Sequence, residues 1–208
     1  AKNGKNLARI VELKAGIKID IINGAEEAAM ILTKNINQHL KKEKSYLHID
    51  VGGGSTELTS IVNGQTKNSK SFSIGSVRLL EGKVSKKSWN DMKEWIKSNT
   101  NSVTGIKAIG SGGNINKIAS MLGKKKGEHV PYNSIKILLK KIEAKDFHQR
   151  ITTFGLRPDR ADVIIPASKI YLNCMKWSKS QKILVPQSGL ADGIIEQLYY
   201  TYKSVSKS

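Results

Sequence analysis

The sequence predicts a mixed α/β fold: a sheet with an antiparallel three-strand meander, flanked by helices. Two observations point to it. Three runs, 46–49, 57–62 and 69–74, alternate apolar and polar residues at the strand period. They are joined by Gly52-Gly53-Gly54 and by Asn63-Gly64, the second a strong hairpin signal. Beyond them the period changes to 3.6, and short apolar runs alternate with helical faces.

Taken in order, residues 7–13 read as a helix and 17–21 as a strand. Asn23-Gly24 opens a helix with Glu26 and Glu27 in its first turn and Ala28, Ile31, Leu32 and Ile36 on its apolar face. The meander follows over 45–74. Ser85 is an N-cap candidate for a helix through Trp89, Met92 and Ile96. Residues 106–109 form a short strand. Asn114 then begins a helix with Ile115, Ile118, Ala119 and Leu122 on one side. Residues 123–127 read as a mobile basic connector. Asn133 or Ser134 caps a helix carrying Ile135, Leu138, Leu139 and Ile142, and 151–156 is irregular. Pro158 suits the first turn of a helix running to Cys174, with a kink expected at Pro166. Residues 183–185 form a buried-type strand, and a helix over 189–200 closes the chain.

The densest chemistry lies in Asp50-Val51-Gly52-Gly53-Gly54-Ser55-Thr56-Glu57. Glycines let the backbone turn tightly and approach a ligand without a Cβ. Successive N–H groups in such a turn make an anion-binding concavity. Ser55 and Thr56 add hydroxyls. Asp50 and Glu57 bracket the loop with carboxylates, which suits a divalent cation shared with phosphate oxygens. The loop runs into a strand, so it is neither a dinucleotide-binding nor a P-loop fingerprint. A plain tight turn is the alternative. A second loop, Gly110-Ser111-Gly112-Gly113-Asn114, does lead from strand to helix and can offer free N–H groups to an anion; a simple helix cap is its alternative. Arg78 could fork onto phosphate or make a surface ion pair.

Lys and Arg total 35 against 17 Asp and Glu, a net charge of +18. Such a surface favours a polyanionic partner, although the lysines are scattered and a generally lysine-rich surface would look the same. Aromatic residues are sparse, which disfavours single-stranded nucleic acid. Cys174 is the sole cysteine, so no intrachain disulfide forms, and its apolar helical setting marks it as core. The four histidines lack metal-ligand spacing. No stretch approaches a membrane span.

Five segments in order resemble the exopolyphosphatase and guanosine-pentaphosphate phosphohydrolase (Ppx/GppA) family. They are the loop at 50–57, Ile21-Ile22-Asn23-Gly24-Ala25-Glu26-Glu27-Ala28, Gly75-Ser76-Val77-Arg78-Leu79, the loop at 109–114, and the pair at 157–162 and 189–193. The resemblance implies one lobe of the actin/Hsp70/sugar-kinase (ribonuclease H-like) fold. It implies Mg²⁺-dependent hydrolysis of terminal phosphoanhydride bonds in polyphosphate or guanosine pentaphosphate, in the cytoplasm. Glu27 takes the family's general-base position. Glu26 keeps a helix-dipole role, which on local grounds alone would serve for both acids. Asp50 and Glu57 correspond to acids near the metal. Gly52, Gly53, Gly54, Ser55, Thr56, Arg78, Ser111, Gly112, Gly113 and Asn114 correspond to phosphate-binding positions. Ala29 departs from the pattern, where arginine is common. The family's first-domain loop, Asp-x-Gly-Ser-Asn-Ser, does not occur here. The resemblance therefore implies a remnant of the first domain and its crossover helix at 1–44, the second domain at 45–188, and a terminal helix and tail at 189–208. The missing domain in cis and a homodimer are the implied protein partners, and these residues alone are expected to be poorly active. Two other classes remain open: an ATP-binding kinase or chaperone relative, and a non-catalytic polyanion binder.

Overall fold

A computed structural model describes residues 3–21, 41, 43–101, 105–187, 195, 198, 199 and 202. Six strands form one mixed sheet: β1 (Tyr46–Val51), β2 (Thr56–Val62), β3 (Gln65–Phe72), β4 (Lys107–Ser111), β5 (Glu128–Pro131) and β6 (Lys182–Val185). Their order is β3-β2-β1-β4-β6-β5. The β1-β2-β3 meander is antiparallel; β1, β4 and β6 run parallel; β5 returns antiparallel at the edge. Asn63 and Gly64 both take positive φ, as the hairpin signal requires.

Central strands are covered on both faces, as parallel strands require. Leu47 and Ile49 are fully buried, and so is their opposite-face neighbour His48. On the outer edge, β3 is exposed along all but its last residue, and Lys67 and Lys70 guard it against further pairing. Its terminal Phe72 meets Trp95 edge-on, at 6.0 Å between ring centroids.

Seven helices are described around or near the sheet, with α1 (Gly4–Ala15) before it. They are α2 (Ser76–Leu80), α3 (Lys86–Thr100), α4 (Gly113–Met121), α5 (Tyr132–Glu143), α6 (Phe147–Phe154), α7 (Pro158–Ala161) and α8 (Ile164–Trp177). Ser85 caps α3 as expected, its Oγ accepting from Ser88 N at 3.0 Å. Ile115, Ile118 and Ala119 of α4 and Ile135, Leu138, Leu139 and Ile142 of α5 are buried, as their spacing predicts. Helix α8 is the hub, packing on α2, α3, α4, α5 and β1. Cys174 sits within it as a core thiol, and burial pushes its pKa up.

Several sequence expectations change. Residues 17–21 form no strand; Ile17, Ile19 and Ile21 are exposed, and among the described residues no strand lies beside them to bond. Residues 151–154 are helical, not irregular. The missed signal is a capping box, in which Asp146 accepts from Gln149 N at 2.8 Å while the Gln149 side chain accepts from Asp146 N. The expected mobile connector at 123–127 is pinned by Lys124 N donating to Ala119 O and Gly127 N donating to Val185 O. That bond leads into β5, an edge strand whose Glu-His-Val-Pro sequence carries little strand signal. The expected caps at 133–134 lie inside α5, which starts at Tyr132.

The helix from Pro158 is two helices. The break falls at 162–163, so Pro166 lands in the first turn of α8, where its missing N–H costs nothing and no kink is needed. The short α2 had no prediction. Of the helix expected at 189–200, Ile195, Leu198 and Tyr199 are helical, as is Tyr202 beyond it; its remainder, and the segment where a helix with Glu26 and Glu27 was expected, lie outside the described residues.

Candidate active site

The two glycine loops converge at the carboxyl ends of β1 and β4. Asp50 is the Cα partner of Glu57 on β2 and of Ser111 on β4, so the three side chains share one sheet face. His48, two residues earlier on β1, lies on that face too. Between the loops opens a cleft of about 440 Å³, with Asp50, Gly52, Gly53, Gly112, Gly113 and Asn114 among its lining residues. Asp159 and Arg160 of α7 and Ser76 and Val77 of α2 complete its wall.

The first loop is braced from behind. Gly52 N donates to Ser55 O at 3.0 Å, which tightens the turn. Ser76 N donates to Gly52 O and Val77 N to Gly53 O, both at 2.9 Å, so the loop's carbonyls cap α2. Arg78 Nε reaches Gly54 O at 2.9 Å. With carbonyls turned to α2, the N–H groups of Gly53 and Gly54 have no protein acceptor recorded among the described residues. The glycines of this loop do not take positive φ. Their need is closeness instead: a Cβ on Gly75 would fall within the backbone of Gly53 and Gly54, and one on Gly53 would stand 3.3 Å from Val77 Cγ2.

The second loop does use left-handed backbone. Gly112 has φ +103° and precedes α4, whose first-turn N–H groups have no intrahelical acceptor. A Cβ on Gly112 would lie 3.0 Å from Asp50 Oδ1, so this loop abuts the Asp50 carboxylate. Tyr171 of α8, fully buried, donates its hydroxyl to the Ser111 carbonyl. Burial, then the nearby Asp50 charge, pushes the Tyr171 pKa well up and keeps the phenol a donor. The Ser111 hydroxyl lies 3.0 Å from His48 Nε2. Burial raises the Asp50 pKa, and the nearby Ser111 hydroxyl opposes that rise.

The structure distributes the other candidates unevenly. Thr56 is fully buried and gives its hydroxyl to Ile74 O at 2.6 Å, so it locks the β2–β3 exit rather than facing the cleft. Glu57 is buried, accepts from Ser71 Oγ at 2.9 Å and does not line the cleft. Ser55 and Arg78 also lie outside the lining, with the Arg78 Nε already used on Gly54. Glu27 is outside the described residues. Among the described residues no cluster of three or more His, Cys, Asp or Glu could hold a metal ion. A cation bound mostly through phosphate oxygens and water needs only one or two carboxylates, and Asp50 meets that need.

Arg160 was not foreseen as a site residue. Its Nη1 donates to Asn114 Oδ1 at 3.3 Å, and its guanidinium lies over Gly113, where a Cβ would come within 2.5–2.8 Å of its terminal atoms. The signal was available: a basic residue two positions after Pro158, paired with a glycine at the start of another helix. Only the tertiary approach of α7 to α4 gives it meaning.

Comparison with known proteins agrees with this geometry. The Ppx/GppA phosphatase family matches residues 1–201. Solved structures of similar fold include an exopolyphosphatase from Cytophaga hutchinsonii, with TM-score 0.79, 21% identity, and coverage of 95% of this chain and 70% of that one. The Aquifex aeolicus Ppx/GppA family member follows with TM-score 0.74, 22% identity, and coverage of 97% and 71%. A bifunctional 3-dehydroquinate synthase/phosphatase of Fusobacterium nucleatum is 29% identical over 86% of this chain, which spans 30% of that protein's length. The sheet is thus a lobe of the actin-like fold that those structures share, and the chain belongs to the Ppx/GppA phosphatase family.

Proposed function

We propose that this chain is the phosphate-gripping lobe of a phosphohydrolase acting on terminal phosphoanhydride bonds of inorganic polyphosphate or guanosine pentaphosphate. The observation that carries the reading is the convergence of two glycine loops on one cleft beside Asp50. The N–H groups of Gly53 and Gly54, which have no acceptor among the described residues, and those opening α4 would receive phosphate oxygens from two sides. Arg160 at the rim adds a planar cation suited to a phosphate fork. Fixed donors of this kind favour a transition state whose charge spreads over the transferred oxygens.

Asp50 would hold Mg²⁺, with Glu57 on the adjacent strand as its neighbour on the same face. The ion would neutralise charge on the bridging oxygens when bound. Glu27 serves as general base in this reading, orienting and deprotonating the attacking water. Support for that role comes from family membership and from the position of Glu27 in the Glu26-Glu27-Ala28 segment.

Phosphate release from polyphosphate by the natural full-length protein, with and without Mg²⁺, tests the reading. Glu27→Gln should lower turnover roughly 10²- to 10⁴-fold, the range of a lost general base, and leave polyphosphate binding intact. A variant with near wild-type turnover removes Glu27 from the mechanism. Hydrolysis confined to ATP would move the protein to the kinase or chaperone relatives.

A further inference from the structure

Among the described residues Tyr171 is the largest fully buried side chain, and the reaction as drawn makes no use of its hydroxyl. It stands on α8 among Ile164, Ala167, Ile170, Cys174 and Met175, all fully buried. A phenylalanine there would bury as much ring with no polar atom to satisfy. The hydroxyl donates instead to the carbonyl of Ser111, the last residue of β4. That strand outruns one neighbour: its pairing with β6 ends at Ile109–Leu184, two residues before Ser111. The strand end is held by the β1 ladder on one side, and the phenol adds a bond from outside the sheet.

The consequence lies in the peptide that follows. The Ser111 carbonyl and the Gly112 N–H share one planar unit, so fixing the first fixes the direction of the second. Gly112 then takes φ +103° and ψ 159°, a backbone region open in practice to glycine alone. A conformation of that kind persists only where its surroundings over-determine it. Three oxygens surround this one. A Cβ on Gly112 would stand 3.0 Å from Asp50 Oδ1, 3.4 Å from the Val51 carbonyl and 3.6 Å from the Tyr171 hydroxyl. The hydroxyl is also bonded to the peptide at which the turn starts. Downstream, Gly112 is the N-cap of α4, and its carbonyl accepts from Asn116 N at 3.2 Å. The turn therefore sets where the first N–H groups of α4 lie.

We propose that Tyr171 is a positioning residue of the phosphate site: by holding the Ser111 carbonyl, its hydroxyl sets the Gly112 turn and with it the direction in which the N–H groups opening α4 meet phosphate. Asp50 Oδ1 and the Val51 carbonyl reach the same glycine from the first loop, so the phenol sits where the two loops meet. The binding consequence rests on the phosphohydrolase reading above, whereas the hydrogen bond does not.

Two measurements on the natural full-length protein test this. Labelling with ¹³C′-serine and ¹⁵N-glycine selects Ser–Gly peptides, of which residues 1–208 hold two, at 111–112 and 188–189. Ser111→Ala identifies the first by removing its signal. In Tyr171→Phe the Ser111 carbonyl signal should move upfield, as an acceptor that loses its donor does. An unchanged position overturns the proposal, whatever the protein hydrolyses. Should Tyr171→Phe fail to fold, the wild-type hydroxyl proton decides: slow exchange is expected, and a proton exchanging freely with water overturns the proposal. The second measurement is calorimetric titration with inorganic pyrophosphate. Tyr171→Phe should weaken binding roughly three- to tenfold, the worth of one neutral hydrogen bond. Ile170→Val trims a buried methylene from the same helix and should leave affinity within about twofold. A merely structural Tyr171 predicts that the two variants bind alike, and that result overturns the proposal, as does wild-type affinity in Tyr171→Phe. If the wild-type protein binds no pyrophosphate, the phosphate reading falls and this role with it, while the carbonyl shift still reports the hydrogen bond.

Discussion

The imidazole of His48 is held neutral by its surroundings. Burial lowers its pKa from 6.5 to about 4. Between those values the unfolded chain binds a proton that the folded chain refuses. Stability is therefore complete above about 6.5 and falls as pH drops toward about 4. The loss should be on the order of 3 kcal/mol across that window. Urea titrations from neutral to acid pH measure it, and His48→Gln, which cannot titrate, should flatten that part of the profile. An unchanged slope in the variant would mean that other groups carry the acid sensitivity. Gly113 provides a second test at this scale. A methyl there meets the Arg160 guanidinium, which has a flexible stem and can swing aside. Gly113→Ala should weaken pyrophosphate binding as much as Arg160→Gln does, with little change in melting temperature. Equal affinity in wild type and Gly113→Ala would remove Arg160 from the phosphate site.

At the scale of elements, the two glycine loops work by different means. The first is shaped by contact, because α2 takes its carbonyls and Gly75 admits its backbone. Gly75→Ala should push the loop off α2, destabilise the fold by about 1–3 kcal/mol as overpacking does, and abolish anion binding. Chemical denaturation and calorimetry with pyrophosphate check both parts. The capping box of α6 is a separate, purely structural device, so Asp146→Ala should cost about 1 kcal/mol and leave the site unchanged. These elements also divide what was legible in the sequence from what was not. Helices α3, α4 and α5 could be read because their apolar periods match their burial, and the meander because Asn63-Gly64 marks its hairpin. Asp50 and both glycine loops could be read because glycine clusters beside a strand-end carboxylate have few other uses. The strand expected at 17–21 is not formed because alternation alone supplies no partner strand, and none pairs with it among the described residues. β5 was invisible because an edge strand held by backbone bonds needs little side-chain pattern. The withdrawal of Thr56 and Glu57 from the cleft depends on Ile74 and Ser71, partners that only the folded sheet brings near. Arg160 likewise needed α7 to be seen against α4.

Across the whole molecule the excess of cations sets the long-range field. With a net charge of +18, the surface attracts polyanions from solution. If lysine–phosphate contacts contribute beyond the cleft, affinity for long polyphosphate should fall steeply with salt, as counterion release requires. Affinity for pyrophosphate, confined to the cleft, should fall less. Filter binding across a salt series separates the two, and equal slopes would confine recognition to the cleft. No helix among the described residues is long and apolar enough to cross a membrane. Both glycine loops lie at one end of the sheet, where β1 and β4 terminate, so a single ligand in the cleft could touch both. That joint grip is the central claim. It is tested most directly by a crystal structure of the natural full-length protein with a non-hydrolysable phosphate oligomer and Mg²⁺. The account predicts phosphate density within hydrogen-bond distance of the Gly53 and Gly113 N–H groups together, with Asp50 facing the ion. An ordered oligomer bound elsewhere, with both loops free of it, would contradict the account.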